Sequence, residues 1–282
     1  MTPPKLPYKK FKTSATAIPS LAVLVRTRNE IAALPDFWHR LSSQTCFPKA
    51  EILFLDSGST DGTIEFLRNL EVGLYTIEPE AFNFGSSCNL LMSLSRAPIA
   101  VFLSAHVFLE QSDALERCCE ILYAHKYSAA YFRQVPNLIT GSSTYEKAQL
   151  AKRFPFRSEV FVPMNQPAGF SNAGSALTRA SWERLPFPEI HGSEDHAWAL
   201  KHLALGGKLF YMSGLTVMHS HNESPEALFQ RVRLNFVARK QKGSLLRAAY
   251  YFCGVLVSLI RQGASFAEAW SYASAHARAY LP

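Results

Sequence analysis

Cysteine is scarce in this 282-residue chain: there are five (Cys46, Cys88, Cys118, Cys119 and Cys253), odd in number, two of them adjacent and none in a C-x-x-C pair. That usage excludes a disulfide framework or a zinc cluster and fits a reducing, cytoplasmic location. Long apolar helices are missing too. The uncharged stretch between Arg247 and Arg261 has 13 residues, 248–260, where a spanning helix needs about 20. Basic residues in 1–10 are followed by no apolar core, so no secretory signal is expected. No internal repeat or low-complexity tract is present. Acidic residues are outnumbered, 22 against 29 Lys and Arg, for a formal charge of +7, which favours phosphorylated metabolites, anionic lipid surfaces or nucleic acid as partners. No reader motif or alternation of aromatic and basic residues accompanies that charge, so nucleic acid is not expected.

What is present supports a large core: 48% hydrophobic residues against 18% charged, in a length that suits one large domain or two small ones. Apolar runs at 21–25, 52–55, 73–77 and 99–103 read as buried strands, each stopping in small polar residues before a helical pattern: 31–43 (with Pro35 near its start), 63–70, a helix continuing through 89–95, and 113–125. The expected fold class is α/β, a mostly parallel sheet flanked by helices. Residues 1–18 read as a loose arm, and 136–170 as an irregular insert that sets the substrate. Further strands are expected near 129–132 and at 174–177, 208–211 and 215–219, with a short helix from Ala180 and another over 194–205. From Pro225 onward the chain reads as helical and basic (Arg231, Arg233, Arg239, Lys240, Lys242, Arg247, Arg261). For its apolar stretch two readings stand: an amphipathic helix lying in a membrane interface, or plain packing on the domain.

The chain is organised around Val25-Arg-Thr-Arg-Asn-Glu30 and Asp56-Ser-Gly-Ser-Thr-Asp-Gly-Thr63. Ligand sites of parallel sheets lie at the carboxyl ends of strands, which places a nucleotide pocket here. A strand-end carboxylate can accept from the N–H of a pyrimidine base, and backbone N–H groups of the 57–62 turn can meet ribose or phosphate. Asp61 and Thr63 can equally cap the next helix. Arg26 and Arg28, on one face by alternation, can hold a diphosphate or pair with Glu30, with Arg28 the stronger candidate.

With Phe82-Asn-Phe-Gly85 and Asn89, Glu194-Asp-His196, and Val217-Met-His-Ser-His-Asn222 in order behind them, these segments resemble glycosyltransferase family 2, the inverting GT-A enzymes that use nucleotide-sugar donors, and its bacterial rhamnosyltransferase branch in particular. The resemblance runs from about residue 20 to 240. It implies a GT-A domain over 19–222, with a nucleotide-binding half at about 19–135 and an acceptor half at about 136–222, and a helical extension over 223–282. It implies that Asp56 reads the base, and that donor contacts come from Thr27, Arg28, Glu30, Ser57, Gly58 and Asn89, and from Ser104, Ala105, His106 and His221. Glu194 and Asp195 are the implied catalytic pair. A carboxylate at a helix N-terminus stays ionised, which suits Asp195 as the general base that an inverting transfer requires, with Glu194 holding the acceptor or orienting the loop. The alternative is that one of these acids only caps the helix.

Members of the family usually carry Asp-x-Asp after the fourth strand, to bind a divalent cation. Here Ser104-Ala105-His106 stands in that place, and no carboxylate follows until Glu110. His106 with His219 can still hold manganese or magnesium, or these imidazoles and nearby arginines can face the diphosphate without a cation. The expected reaction is transfer of a sugar, rhamnose from a dTDP donor by the branch resemblance, to a glycan or lipid-linked glycan at the inner face of a membrane. GDP-mannose and UDP-sugars remain open as donors, as does a catalytically silent nucleotide-sugar binder.

Overall fold

The computed structural model describes residues 7–12, 19–137, 141–158, 161–167, 169–190, 192–238 and 242–281. In chain order the strands are β1 (Lys9–Lys12), β2 (Leu21–Thr27), β3 (Ala50–Asp56), β4 (Gly73–Thr76), β5 (Ile99–Ser104), β6 (Phe108–Leu109), β7 (Ser128–Val135), β8 (Val162–Met164), β9 (Gly174–Thr178) and β10 (Lys208–Met218). The helices are α1 (Leu34–Ser42), α2 (Thr63–Arg68), α3 (Phe84–Leu94), α4 (Ala114–Tyr123), α5 (Thr144–Arg153), α6 (Arg179–Arg184), α7 (Glu194–Ala204), α8 (Pro225–Ala238), α9 (Leu245–Arg261) and α10 (Phe266–Arg278).

The chain forms two compact units. The first, residues 1–134, 156–189 and 194–218, carries the ten-stranded sheet in the order β1-β4-β3-β2-β5-β9-β7-β10-β6, with β8 paired to β10. The α/β class is as expected, but the sheet is mixed. β4, β3, β2 and β5 run parallel; β9 is antiparallel to β5 and to β7, and β10 to β6 and β8. Alternation cannot report strand direction in a run buried on both faces, as residues 21–25 are. Register sets the site: Thr27 lies beside Asp56, and Arg26 beside Ser104, so the ends of three neighbouring strands open on one edge.

Three expectations change here. Lys9–Lys12 is an edge strand antiparallel to β4, with the Tyr8 ring 5.6 Å from that of Tyr75; a free sheet edge recruits a short strand, and its lysines blunt that edge. The remainder of the expected arm lies outside the described residues. The two short strands expected at 208–211 and 215–219 are one, Lys208–Met218. Pro35 occupies the first turn of α1, where no N–H is needed, and so begins the helix rather than weakening it.

The second unit takes 135–155, 190–193 and 219–282. Its core joins Tyr145 and Ala148 of α5 to Leu228, Val255, Leu259, Ala269 and Ala273 of α8, α9 and α10. The insert expected to be irregular therefore supplies a helix, α5, that belongs with the C-terminal helices, while 162–164 forms β8. A Ser143/Glu146 capping box starts α5. The expected basic positions Arg239 and Lys240 lie outside the described residues.

Gly85 packs the first turn of α3 on the carbonyl of Pro188: a Cβ there would stand 2.0 Å from that oxygen. Four residues on, Asn89 faces the same turn. Its Nδ2 donates to the Phe187 carbonyl, and its Oδ1 accepts from the Phe187 N–H and Trp182 Nε1, each at 2.9 Å. Gly85→Ala should therefore cost about 1–3 kcal/mol, the usual range for overpacking, read as a lower urea midpoint at unchanged slope.

Candidate active site

Three loops at the carboxyl ends of β2, β3 and β5 form the first layer of the site, and they are knitted by their own polar atoms. Asp56 is fully buried. Its Oδ1 accepts from the N–H groups of Gly58 and Ser59, both at 2.9 Å, and its Oδ2 accepts from the Ser59 hydroxyl. In this structure the carboxylate is thus occupied by its own turn, and the expected base reader is first of all the knot of the loop. Gly58 is required there: it has φ 85°, and a Cβ would meet Pro79 at 2.5 Å.

The β2 loop is stitched to the β3 loop by side-chain hydrogen bonds, and the Asn29 N–H donates to Ser59 Oγ at 2.8 Å. Asn29 Oδ1 accepts from the Thr60 N–H at 2.8 Å, Glu30 N–H donates to Thr63 Oγ1 at 2.9 Å, and Ile31 N–H donates to Asp61 Oδ2 at 3.1 Å. Asp61 also accepts from the Thr63 N–H, which assigns it to bracing. Desolvation pushes its carboxyl up, but the bonds from Thr63 and Ile31 together outweigh it and hold the group below the usual range. Thr27, Ser57 and Ala105 are buried, Ser104 and Gly58 are half-buried, and Arg28 is exposed beyond the end of β2. Asn89 is not a donor contact: both ends of its buried amide are bonded to the 182–187 segment, and it positions α3 instead. Glu30 and His106 meet each other, with Oε1 2.6 Å from Nδ1.

The second layer gathers around Glu194, at the start of α7. Its buried carboxylate lies 3.5 Å from Arg26 Nη1 and accepts from Asn172 Nδ2 at 3.4 Å. Arg26 also lies over the Phe84 ring, 5.3 Å from guanidinium carbon to centroid. Burial first, then the adjacent Asp195, push the Glu194 carboxyl up to about 6, although Arg26 pulls the other way. Asp195 is half-buried; its Oδ1 accepts from the His196 N–H at 2.6 Å and its Oδ2 from the Asn172 N–H at 3.4 Å. Two adjacent carboxyls thus stand in different environments, one buried with its acidity weakened, the other half-buried. Cys88, whose Sγ accepts from Asn172 Nδ2 at 3.5 Å, has its thiol raised by burial to about 12 and is no nucleophile.

Alternation puts Arg26 and Arg28 on one face, with Arg28 the stronger candidate, but the strand ends at Thr27, leaving Arg28 exposed, and it is Arg26 that reaches Glu194. Asn172 is the bridge between Glu194 and Asp195; nothing in Ser171-Asn172-Ala-Gly174 signals that role.

In the second unit, His219 N–H donates to the Val135 carbonyl at 2.9 Å, and the rings of His219 and His221 meet edge to face at 4.5 Å between centroids. β10 has ended by then, so the segment 219–222 is a loop. It is held by Glu146 of α5, which accepts from the N–H groups of His221 and Asn222 at 2.7 and 3.0 Å, and by Ser220 Oγ, which accepts from the Asn137 N–H at 2.8 Å. Glu146 escaped the sequence reading, although the S-x-x-E spacing at 143–146 marks a helix start.

The glycosyl transferase family 2 model matches residues 22–184, more than half of the chain. The chain belongs to that family. It is 29% identical over 227 residues to the O-antigen chain rhamnosyltransferase WbaN of Salmonella anatum, an alignment that spans 76% of this chain and 70% of that protein. Among solved structures, the mannosyltransferase PcManGT from Pyrobaculum calidifontis, in complex with GDP-Man and Mn2+, matches with a TM-score of 0.58 at 18% identity, over 98% of this chain and 73% of that one. S. aureus TarS 1-349 in complex with UDP matches with a TM-score of 0.54 at 13% identity, over 93% and 90%. This family 2 protein is a glycosyltransferase, and its sheet and flanking helices are those of the GT-A fold.

The raised Glu194 carboxyl has a measurable consequence. The folded state binds that proton more tightly than the unfolded chain, so its stabilising contribution is full below the ordinary value of 4.5 and is lost as pH rises through about 6. Between pH 4.5 and 7, stability should therefore shift in favour of Glu194→Gln over wild type by up to ~2 kcal/mol, measured by urea unfolding of both proteins at each pH.

Proposed function

We propose that this glycosyltransferase moves a sugar, rhamnose as the favoured substrate, from a nucleoside-diphosphate donor to a glycan or lipid-linked glycan acceptor, with inversion, in bacterial surface polysaccharide synthesis. The observation that carries the reading is the pair at the start of α7: Glu194 buried against Arg26, and half-buried Asp195 oriented by Asn172. In the proposed displacement Asp195 accepts the proton of an acceptor hydroxyl while its oxygen attacks the anomeric carbon; the bond from that carbon to the diphosphate oxygen breaks, and the nucleoside diphosphate leaves. The 29% identity to a rhamnosyltransferase supports rhamnose and a surface-glycan acceptor. A lipid-linked acceptor would bring the enzyme to the cytoplasmic face of a membrane.

Catalysis is favoured over silent sugar binding by that same pair, since a mere binder needs no half-buried carboxylate beside a buried one at the strand ends. Asp195→Asn should keep donor affinity and lower turnover by roughly a hundredfold or more, the usual worth of a general base. An Asn variant with wild-type turnover would remove Asp195 from the role.

PcManGT binds its donor together with Mn2+, and the donor chemistry here fits a cation held by nitrogen. Ala105 has no ligand atom, so a metal at the Asp-x-Asp position would take His106. Its Nδ1 meets Glu30, and a carboxylate on one ring nitrogen fixes the tautomer that offers the other as a ligand, as in metal-bound histidines. His106 would hold the ion, which favours manganese over magnesium because imidazole suits the softer metal. The bound cation would neutralise the leaving diphosphate. If so, chelator should abolish transfer and manganese restore it better than magnesium; full transfer in chelator would establish a cation-free reaction.

A further inference from the structure

The formal charge of +7 is not spread over the chain. The second unit holds eleven Lys and Arg against four Glu, and the first holds eighteen of each sign. The excess positive charge of the protein therefore belongs to the helical unit.

Within that unit α9 is apolar on two opposite faces. Ala248 is buried, and Phe252, Val255 and Leu259 face inward, where they join or pack against the helical core. On the other face Leu246, Tyr250, Cys253, Val257 and Ile260 follow one another at three- and four-residue spacing and are exposed, Leu246 at 84% and Tyr250 at 76%. A helix face of that composition is normally covered. A groove of about 810 Å³ runs along it, bounded at one end by Leu246 and at the other by Arg261. On α10, Phe266 is 63% and Trp270 49% exposed, their rings 5.7 Å apart, and Trp270 also meets Phe252 of α9 edge to face.

The charges along α9 have one sign. α9 contains no acidic residue, and its two charged side chains, Arg247 and Arg261, are exposed on the flank of the apolar stripe, with exposed Lys242 just before the helix. Of the unit's four acidic residues, Glu223 pairs with Arg231, Glu226 with Arg278 and Glu146 caps α5, while the half-buried Glu268 stands in the first turn of α10 between Phe266 and Trp270. Seventeen residues of helix extend about 25 Å, less than a hydrocarbon core of about 30 Å, and no helix among the described residues is long and apolar enough to cross a membrane.

We propose that the exposed face of α9, with Phe266 and Trp270 of α10, is a membrane-docking surface that lies in the interface of an anionic phospholipid bilayer. Leu246, Tyr250, Val257 and Ile260 enter the acyl boundary, the aromatic rings sit at headgroup level, and Arg247, Arg261 and Lys242 meet lipid phosphates. Area burial and charge complementarity act together, since either alone gives weak and reversible binding. The surface shares no residue with the strand-end site, and its occupancy can be read without donor or acceptor.

The test is flotation of the full chain with phosphatidylcholine vesicles, with and without phosphatidylglycerol and free of any glycolipid. Wild type should float with the anionic vesicles, less with pure phosphatidylcholine, and less again as salt is raised. The double variant Leu246→Asp, Tyr250→Asp should lose vesicle partitioning by about tenfold or more. So should Arg247→Glu with Arg261→Glu, while transfer to a water-soluble acceptor stays at the wild-type rate in both. Failure of wild type to float with anionic vesicles, or equal flotation of the variants, overturns the proposal. So does self-association of wild type in sedimentation velocity that the aspartate variant abolishes without any vesicle binding, which would make the face an interface between two copies. Loss of sugar transfer in every assay with flotation intact would overturn the proposed reaction and leave the docking surface standing.

Discussion

The buried carboxyl of Glu194 is the constraint to which the site is fitted. A carboxylate away from water needs a cation and hydrogen-bond donors around it, and here these arrive from different parts of the first unit: Arg26 from the end of β2 and the Asn172 amide from the start of β9. Because β9 runs antiparallel beside β5, its first residues fall at the same edge where β2 and β5 end. The mixed sheet is what lets one carboxyl collect partners 22 and 168 positions away. The arrangement leaves Asp195, the next residue, with its backbone fixed and its side chain half open. That is the condition a proton acceptor requires, held in place yet reachable.

Much of the motif chemistry turns out to serve position rather than contact. Gly85 and Asn89 dock α3 on the 186–189 turn that leads toward α7, and Asp56, Asp61, Thr63 and Asn29 lace two strand-end loops into one rigid rim. Buried polar atoms in such loops have no strand neighbour to satisfy them, so side chains do it. A loop braced this way loses little entropy when a ligand arrives, which is how preorganised recognition is built.

Several of these features were legible in the residues. Buried strands ending in small polar residues placed the site at the carboxyl edge, and the Glu194-Asp195 pair before a helical pattern marked a carboxylate at a helix start. Asn89 was misread as a ligand contact because an amide at a helix start looks the same whether it faces a nucleotide or the Phe187 backbone. Alternation placed Arg26 and Arg28 on one face, but it does not hold past Thr27, where the strand stops and Asn29 turns left-handed at φ 54°. Glu146 lay within a stretch read as irregular, since its Pro, Gly and Ser residues hid the ten-residue helix they flank.

The sequence by itself determined the strand-loop-helix alternation, the membership of family 2, the small polar residues at the strand ends and the uneven charge of the chain. These follow from local rules: apolar periodicity, turn chemistry and side-chain charge act over a few residues. Only the tertiary structure decided strand direction in the second half of the sheet, the partners of Glu194, the occupation of Asp56 by its own loop and the union of α5 with the C-terminal helices. Each depends on contacts between residues far apart in the chain. A buried carboxyl shows its acidity only when the groups that desolvate and bond it are assembled, and an exposed helix face is known as exposed only once the opposite face has been packed.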